Sequence, residues 1–303
     1  MAALMAGCID PAPSLLPTPT GGVAPPTTAS SPGATVVSPT ASPAPTFLPS
    51  PSASGAIAAR PARCPGTDRT PGAGPGRALS GLSTNWSGYV AAVRTSIVTC
   101  VEASWVEPRI TCPAKGDQAV AIWIGIDGFS SRQIGVPSTT SLVQIGTQAN
   151  CHDGAAFHDA WHEILPAEQH EVRIAARILA GDHMSARILY SGGRFTMSLY
   201  DQEAKGAFTL TGSAPGAPRR TAEWIVEAPA VDCPGTCAAI ALPRFGIIQF
   251  TNAHATIGGS RAAIDDDRWT HVKLTMTRRD VVRTRASALT SGGTLFHVTW
   301  IHS

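Results

Sequence analysis

The stretch Met184-Ser-Ala-Arg-Ile-Leu-Tyr-Ser-Gly-Gly-Arg-Phe-Thr-Met-Ser-Leu199 sets the architecture. Met184, Ala186, Ile188 and Tyr190 recur every second residue, Ser191-Gly-Gly193 turns the chain, and Phe195, Met197 and Leu199 recur on the way back. That pattern predicts a β-hairpin. Working outward, residues 201–206 read as a second turn leading into a strand at 207–211, and residues 245–251 and 294–301 read as further strands. Residues 171–180 alternate through Val172, Ile174, Ala176 and Ile178 and are expected to form a strand too, although their composition also suits a helix. No repeated helical crossover is present, so the expected fold is all-β, an antiparallel β-sandwich of two stacked sheets.

Of the 303 residues, the first 80 stand apart: they hold 16 of the 25 Pro residues, and their only charges are Asp10, Asp68, Arg60, Arg63, Arg69 and Arg77. Ala supplies most of their apolar content, too little buried surface to offset the entropy of ordering. Residues 9–80 are expected to be a disordered Pro/Thr/Ser-rich linker or propeptide, and residues 81–303 the folded domain. Removing those two acidic and four basic residues from totals of 21 and 23 leaves 19 of each, so the domain is formally neutral. It lacks the cationic surplus that nucleic acid binding needs. No run of about 18 apolar residues occurs, so no membrane-spanning helix is expected.

Residues 1–8 end in Leu4-Met-Ala-Gly-Cys8, which resembles a bacterial lipobox and makes Cys8 a candidate lipid anchor. The apolar run before it is shorter than a signal core, which implies a natural start further upstream. Setting Cys8 aside leaves six of the seven Cys for disulfides. Of the arrangements six Cys allow, the expected one joins Cys100 to Cys112, Cys233 to Cys237 and, by elimination, Cys64 to Cys151. No CxxC spacing points to zinc, so an oxidising extracellular or cell-surface location is expected.

Several strands carry costly polar side chains at alternate positions, and alternate side chains of a strand point to opposite faces. In residues 121–128, Ile122, Ile124 and Ile126 share one face and Trp123, Gly125 and Asp127 the other. In residues 141–146, Val143 and Ile145 oppose Gln144 and Gly146. Asp159, Trp161 and Glu163 fall together, as do Glu223, Ile225 and Glu227 against Ala222, Trp224 and Val226. If these strands share a sheet, one side packs in a core and the other lines a groove. His158 and His162 would suit a metal only on a helix with an HExxH pattern, and neither condition holds. No Gly-x-Ser-x-Gly elbow is present.

Asn85-Trp-Ser-Gly-Tyr-Val90, Trp123-Ile-Gly-Ile-Asp-Gly128, Val143-Gln-Ile-Gly-Thr-Gln148, Ala160-Trp-His-Glu163 with Pro166, Gly181-Asp182, Ala222-Glu-Trp-Ile-Val-Glu227, and Phe245-Gly246 with Phe250-Thr-Asn-Ala253 form an ordered series. It resembles the blocks of the glutamic peptidases, also called eqolisins, over about residues 85–255. The resemblance implies a jelly-roll-like sandwich that hydrolyses peptide bonds, usually at acid pH, with a Gln and Glu dyad carried over to Gln144 and Glu223. Trp86, Trp123, Asp127, Asp159, Trp161 and Glu163 match positions lining the family's cleft. His162 and Ile164 replace aromatics usual around the Glu of the Trp-x-Glu block.

In that reading Glu223 takes a proton from water and Gln144 donates to the developing oxyanion. A hydrogen bond from Gln144 is expected to favour the charged form of Glu223. Polypeptides are the expected substrates of a secreted, monomeric endopeptidase, and no cofactor or metal is called for. Two rivals remain: a glycosidase using Glu163 and Glu223 as its carboxyl pair, and a non-catalytic carbohydrate-binding module using the tryptophans as platforms.

Overall fold

The computed structural model describes residues 60–69, 76–168, 171–231 and 238–303, together with the short strand Ser14–Leu15. Cys8, most of the expected linker and the Cys233/Cys237 turn lie outside the described residues.

Two stacked sheets form the body. In the first, hydrogen-bonded neighbours run in the order Val172–Ile174, Ala155–Leu165, Leu142–His152, Asp117–Asp127, Thr221–Glu227, Trp86–Ala92, Thr270–Arg278 and Arg77–Ser83. The second runs Gly206–Gly212, Arg194–Asp201, His183–Ser191, Val98–Val106, Ile247–Ile257, Phe296–Trp300 and Val281–Ala286. Pairing within each is antiparallel, except that Arg77–Ser83 runs parallel to Thr270–Arg278. Thr270–Arg278 belongs to both sheets: residues 270–274 pair with Trp86–Ala92, and residues 275–278 with Val281–Ala286. One side of the sandwich is thereby closed.

Alternation explains the core. Ile122, Ile124, Ile126, Val143, Ile145, Ala222, Trp224 and Val226 of the first sheet face Val101, Ala103, Trp105, Met184, Ile188, Phe195, Met197 and Phe250 of the second. Fully burying one such aliphatic or Phe side chain contributes about 1.5–3 kcal/mol. The two inner indoles find acceptors across the gap, Trp105 Nε1 on Thr147 Oγ1 at 2.9 Å and Trp224 Nε1 on the Glu102 carbonyl at 3.0 Å.

Three expectations change. The disulfides join Cys64 to Cys100 and Cys112 to Cys151, with Cα separations of 5.7 and 5.4 Å, and not Cys100 to Cys112 or Cys64 to Cys151. Register decides this: Cys100 lies in the second sheet, whereas Cys151 pairs with Gln118 in the first. Each link closes a loop, across separations of 36 and 39 residues, worth about 4 kcal/mol by loop-closure entropy. Folded structure also begins before residue 81, because Cys64 pins residues 60–66 to the second sheet and Arg77–Ser83 is a strand. Finally, residues 171–180 supply only the strand Val172–Ile174. Directly after it the Ala176 N–H turns back onto the Ile174 carbonyl at 2.8 Å, and further on the Asp182 carboxylate takes the Leu179 N–H at 2.7 Å.

Candidate active site

The outer face of the first sheet is a lattice set by register. One row across it reads Glu163, Gln144, Gly125, Glu223, Val90. Directly paired residues send their side chains to the same face, so Gln144 and Glu223 stand two strands apart, about 10 Å between Cα atoms, with only a glycine between them. A Cβ added to Gly125 would lie 3.3 Å from Glu223 Oε2, 2.8 Å from Trp123 Cζ3 and 3.1 Å from Leu142 Cδ1. The Glu223 carboxyl therefore leans over Gly125 towards the Gln144 strand.

Two residues along the strands, the next row reads Trp161, Gly146, Trp123, Ile225, and the one beyond it Asp159, Gln148, Ala121, Glu227, Trp86. Trp86 meets Trp123 edge-on at 5.1 Å. Glu227 accepts from Trp123 Nε1 at 2.7 Å and from Asn85 Nδ2 at 3.0 Å. Ser83 sets up the second bond, since its hydroxyl accepts the Trp86 N–H at 3.0 Å and meets Asn85 Oδ1 at 3.1 Å. Asp159 is held by Arg173 at 2.6 Å and by Asn150 at 3.3 Å.

Gln144 is 6 % and Glu163 2 % exposed, and Gln144 Nε2 donates to Glu163 Oε2 at 2.7 Å. The expected hydrogen bond from Gln144 to Glu223 is replaced by this one. Glu223 is 0 % exposed. Phe129, Ile134 and Val136, from the connection 128–141, join Trp86, Leu142 and Ile225 in an apolar cluster on this face. Burial holds the Glu223 carboxyl well above the ordinary carboxylate range and the Asp127 charge adds to it, while the Thr221 hydroxyl and the Phe129 amide oppose the shift. The expectation of a stabilised charge on Glu223 is thus reversed: desolvation outweighs the donors within reach.

Asp127 departs from the other candidates. Its backbone is left-handed, at φ 69°, and its two oxygens accept the Arg219 and Arg220 amides, each at 2.8 Å. Burial raises its pKa to about 6 against those donors. Its carboxyl anchors the entry to Thr221–Glu227 and so fixes where Glu223 starts. His158 and His162 keep separate partners, Glu107 at 2.9 Å for the first and a stacked Phe208 for the second.

Sequence reasoning missed Glu171. As a residue it is half-buried, yet its carboxyl end is enclosed and held well above the ordinary range, first by burial and then by Glu227, Glu163 and Asp159. It directly precedes the strand Val172–Ile174, out of step with the alternating apolar residues, and no motif marks it. Gln148 was legible, four residues from Gln144 on the same face, but no role attached to it.

Residues 84–300 match the peptidase A4 family. Aspergillopepsin-2 of Aspergillus niger is 29 % identical over 154 residues, 50 % of each chain, so this chain spans about half the length of that curated relative. Scytalido-glutamic peptidase, solved with a peptide-based transition-state analog, superposes with a TM-score of 0.59 at 20 % identity, over 72 % of this chain and 99 % of that one. SCP-B, a member of the eqolisin peptidases solved with the tripeptide Ala-Ile-His, gives 0.57 at 20 % identity over the same shares. These two structures share the sandwich fold.

Proposed function

Because this chain belongs to the peptidase A4 family, we propose that it is a glutamic endopeptidase in which Gln144 and Glu223 hydrolyse peptide bonds of polypeptide substrates. The observation that carries the reading is the row Gln144, Gly125, Glu223: an amide and a carboxyl on one face, separated by the one residue without a side chain.

Glu223 as carboxylate removes a proton from water, and the resulting hydroxide bonds to the scissile carbonyl carbon. The carbonyl oxygen becomes an oxyanion. The Gln144 amide has two N–H bonds; Glu163 occupies one, and the other serves the oxyanion. Glu223 then returns its proton to the amide nitrogen as the C–N bond breaks, leaving an acid and an amine. A raised pKa makes Glu223 a stronger base and its protonated form a usable acid near the working pH. The acid limb of kcat/KM is therefore expected above the ordinary glutamate range. The two disulfides suit an oxidising, extracellular setting, and the protein is read as secreted or surface-held.

The test is proteolysis of a denatured protein by the full chain between pH 3 and 7. Glu223→Gln and Gln144→Ala should each lower kcat/KM by about 10²–10⁴-fold with the fold retained by circular dichroism. Undiminished hydrolysis in either folded variant would overturn the assignment.

A further inference from the structure

The outer face of the second sheet carries a different constellation. Along Val98–Val106 the residues facing away from the core include Glu102 and Ser104, and along His183–Ser191 they include Ser185 and Arg187, with Arg187 paired to Glu102 and Ser185 to Ser104. Residues 60–66 cross this face, tied down by the Cys64–Cys100 disulfide, by the Cys64 N–H on Glu102 Oε2 at 2.5 Å, and by Arg187 Nη1 on the Ala62 carbonyl at 2.7 Å. Beside the crossing lies a half-open cavity of about 430 Å³ lined by Arg60, Arg63, Glu102, Ser104, Arg187 and Arg261, among others. A second cavity of about 410 Å³ shares Arg60, Ser104, Ser185 and Asn252 with it and extends to Gln202, Gln249 and Thr251.

Charge in this cavity is unbalanced. Arg261 is spent on Glu102 and Asp68, and Arg63 on Asp68 at 2.6 Å. Among the described residues Arg60 and Arg187 have neutral partners only, the Ser104 hydroxyl at 3.3 Å and the Ala62 carbonyl, and Arg187 Nε is buried with no acceptor. The Glu102 carboxylate that shares this lining is bonded to Arg261, and a guanidinium bonded only to neutral groups is suited to an oxyanion, which it can bind through two parallel N–H bonds. Hydroxyls and amides make up most of the remaining polar lining, groups that match the hydroxyls of a sugar.

We propose that Arg60 and Arg187 form an oxyanion-binding site, separate from the Gln144/Glu223 row and on the opposite sheet, that takes a carboxylate-bearing sugar unit of an anionic polysaccharide, with Ser104, Ser185 and Asn252 receiving its hydroxyls. Such a site would hold the enzyme on an acidic matrix while the other face remains open to substrate.

Calorimetric titration of the full chain at constant ionic strength tests it, with tetragalacturonate as the probe, and maltotetraose and an acidic tetrapeptide as comparisons. Saturable binding of tetragalacturonate is expected, weakened roughly ten- to hundredfold in Arg187→Gln and in Arg60→Gln, with hydrolysis of a small peptide unchanged in both. No saturable binding, equal binding of the neutral maltotetraose, tighter binding of the tetrapeptide, or full affinity in the double variant would each overturn the proposal. Because the peptide assay reads the other face, a failure there is distinguishable from a failure here.

Discussion

The two faces of the first sheet are made by the same strands and follow opposite rules. On the inner face, Ile122, Ile124, Val143, Ile145 and Trp224 pack against the second sheet, and the Trp224 N–H reaches an acceptor there. On the outer face, Gln144 Oε1, Gln148 Oε1, the Trp161 N–H and both oxygens of Glu223 are buried with no aligned partner among the described residues. A buried polar group left unpaired costs about 1–3 kcal/mol. The inner face is therefore where stability is made, and the outer face is where some of it is given up; under the proposed function these outer groups meet the substrate.

Ile124 and Gly125 are chain neighbours on opposite faces, so they give the sharpest test. Ile124→Ala should cost about 2–5 kcal/mol of stability, read by urea unfolding, with specific activity per folded molecule unchanged. Gly125→Ala should act on both: a methyl 3.3 Å from Glu223 Oε2 should lower kcat/KM by about 10²-fold, as small misplacements at a reacting centre do, and its crowding of Trp123 Cζ3 at 2.8 Å should cost about 1–3 kcal/mol of stability. Equal damage to activity from both substitutions would erase the distinction between the faces.

Glu163→Gln replaces a charged acceptor of the Gln144 amide by a neutral one, and should reduce kcat about tenfold with KM little changed, since a hydrogen bond to a charged group is worth about 1.5–3 kcal/mol and a neutral one about half that. The smallest expected effect is thermal. A carboxyl whose folded pKa is raised favours the fold while protonated, below about pH 4.3, and withdraws that support as the pH climbs through its folded pKa. Glu223 is such a group. Glu223→Gln should therefore match the parent Tm at pH 4 and exceed it increasingly towards pH 7.5, by about 2–4 °C for each kcal/mol recovered. A constant Tm difference across that range would mean Glu223 is ionised in the fold.

Much of this was legible in the chain. Period-2 alternation gave the hairpin, the aliphatic faces and the parity that puts Gln144, Glu163 and Glu223 away from the core, because side-chain direction along a strand is a local property. Disulfide partners and the early start of the folded body were not legible. Each depends on which distant segment lies alongside.

The amino-acid order alone therefore determined the all-β class and which side chains share a face, through backbone geometry that every strand obeys. Only the tertiary structure decided which rows align across strands. Register is fixed by long-range pairing, and it sets Gln144 opposite Gly125 and Gly125 opposite Glu223. It also sets the direction in which the proton affinity of Glu223 moves. A carboxyl's proton affinity follows the water and charges around it, and those come from the connection 128–141 and from Asp127.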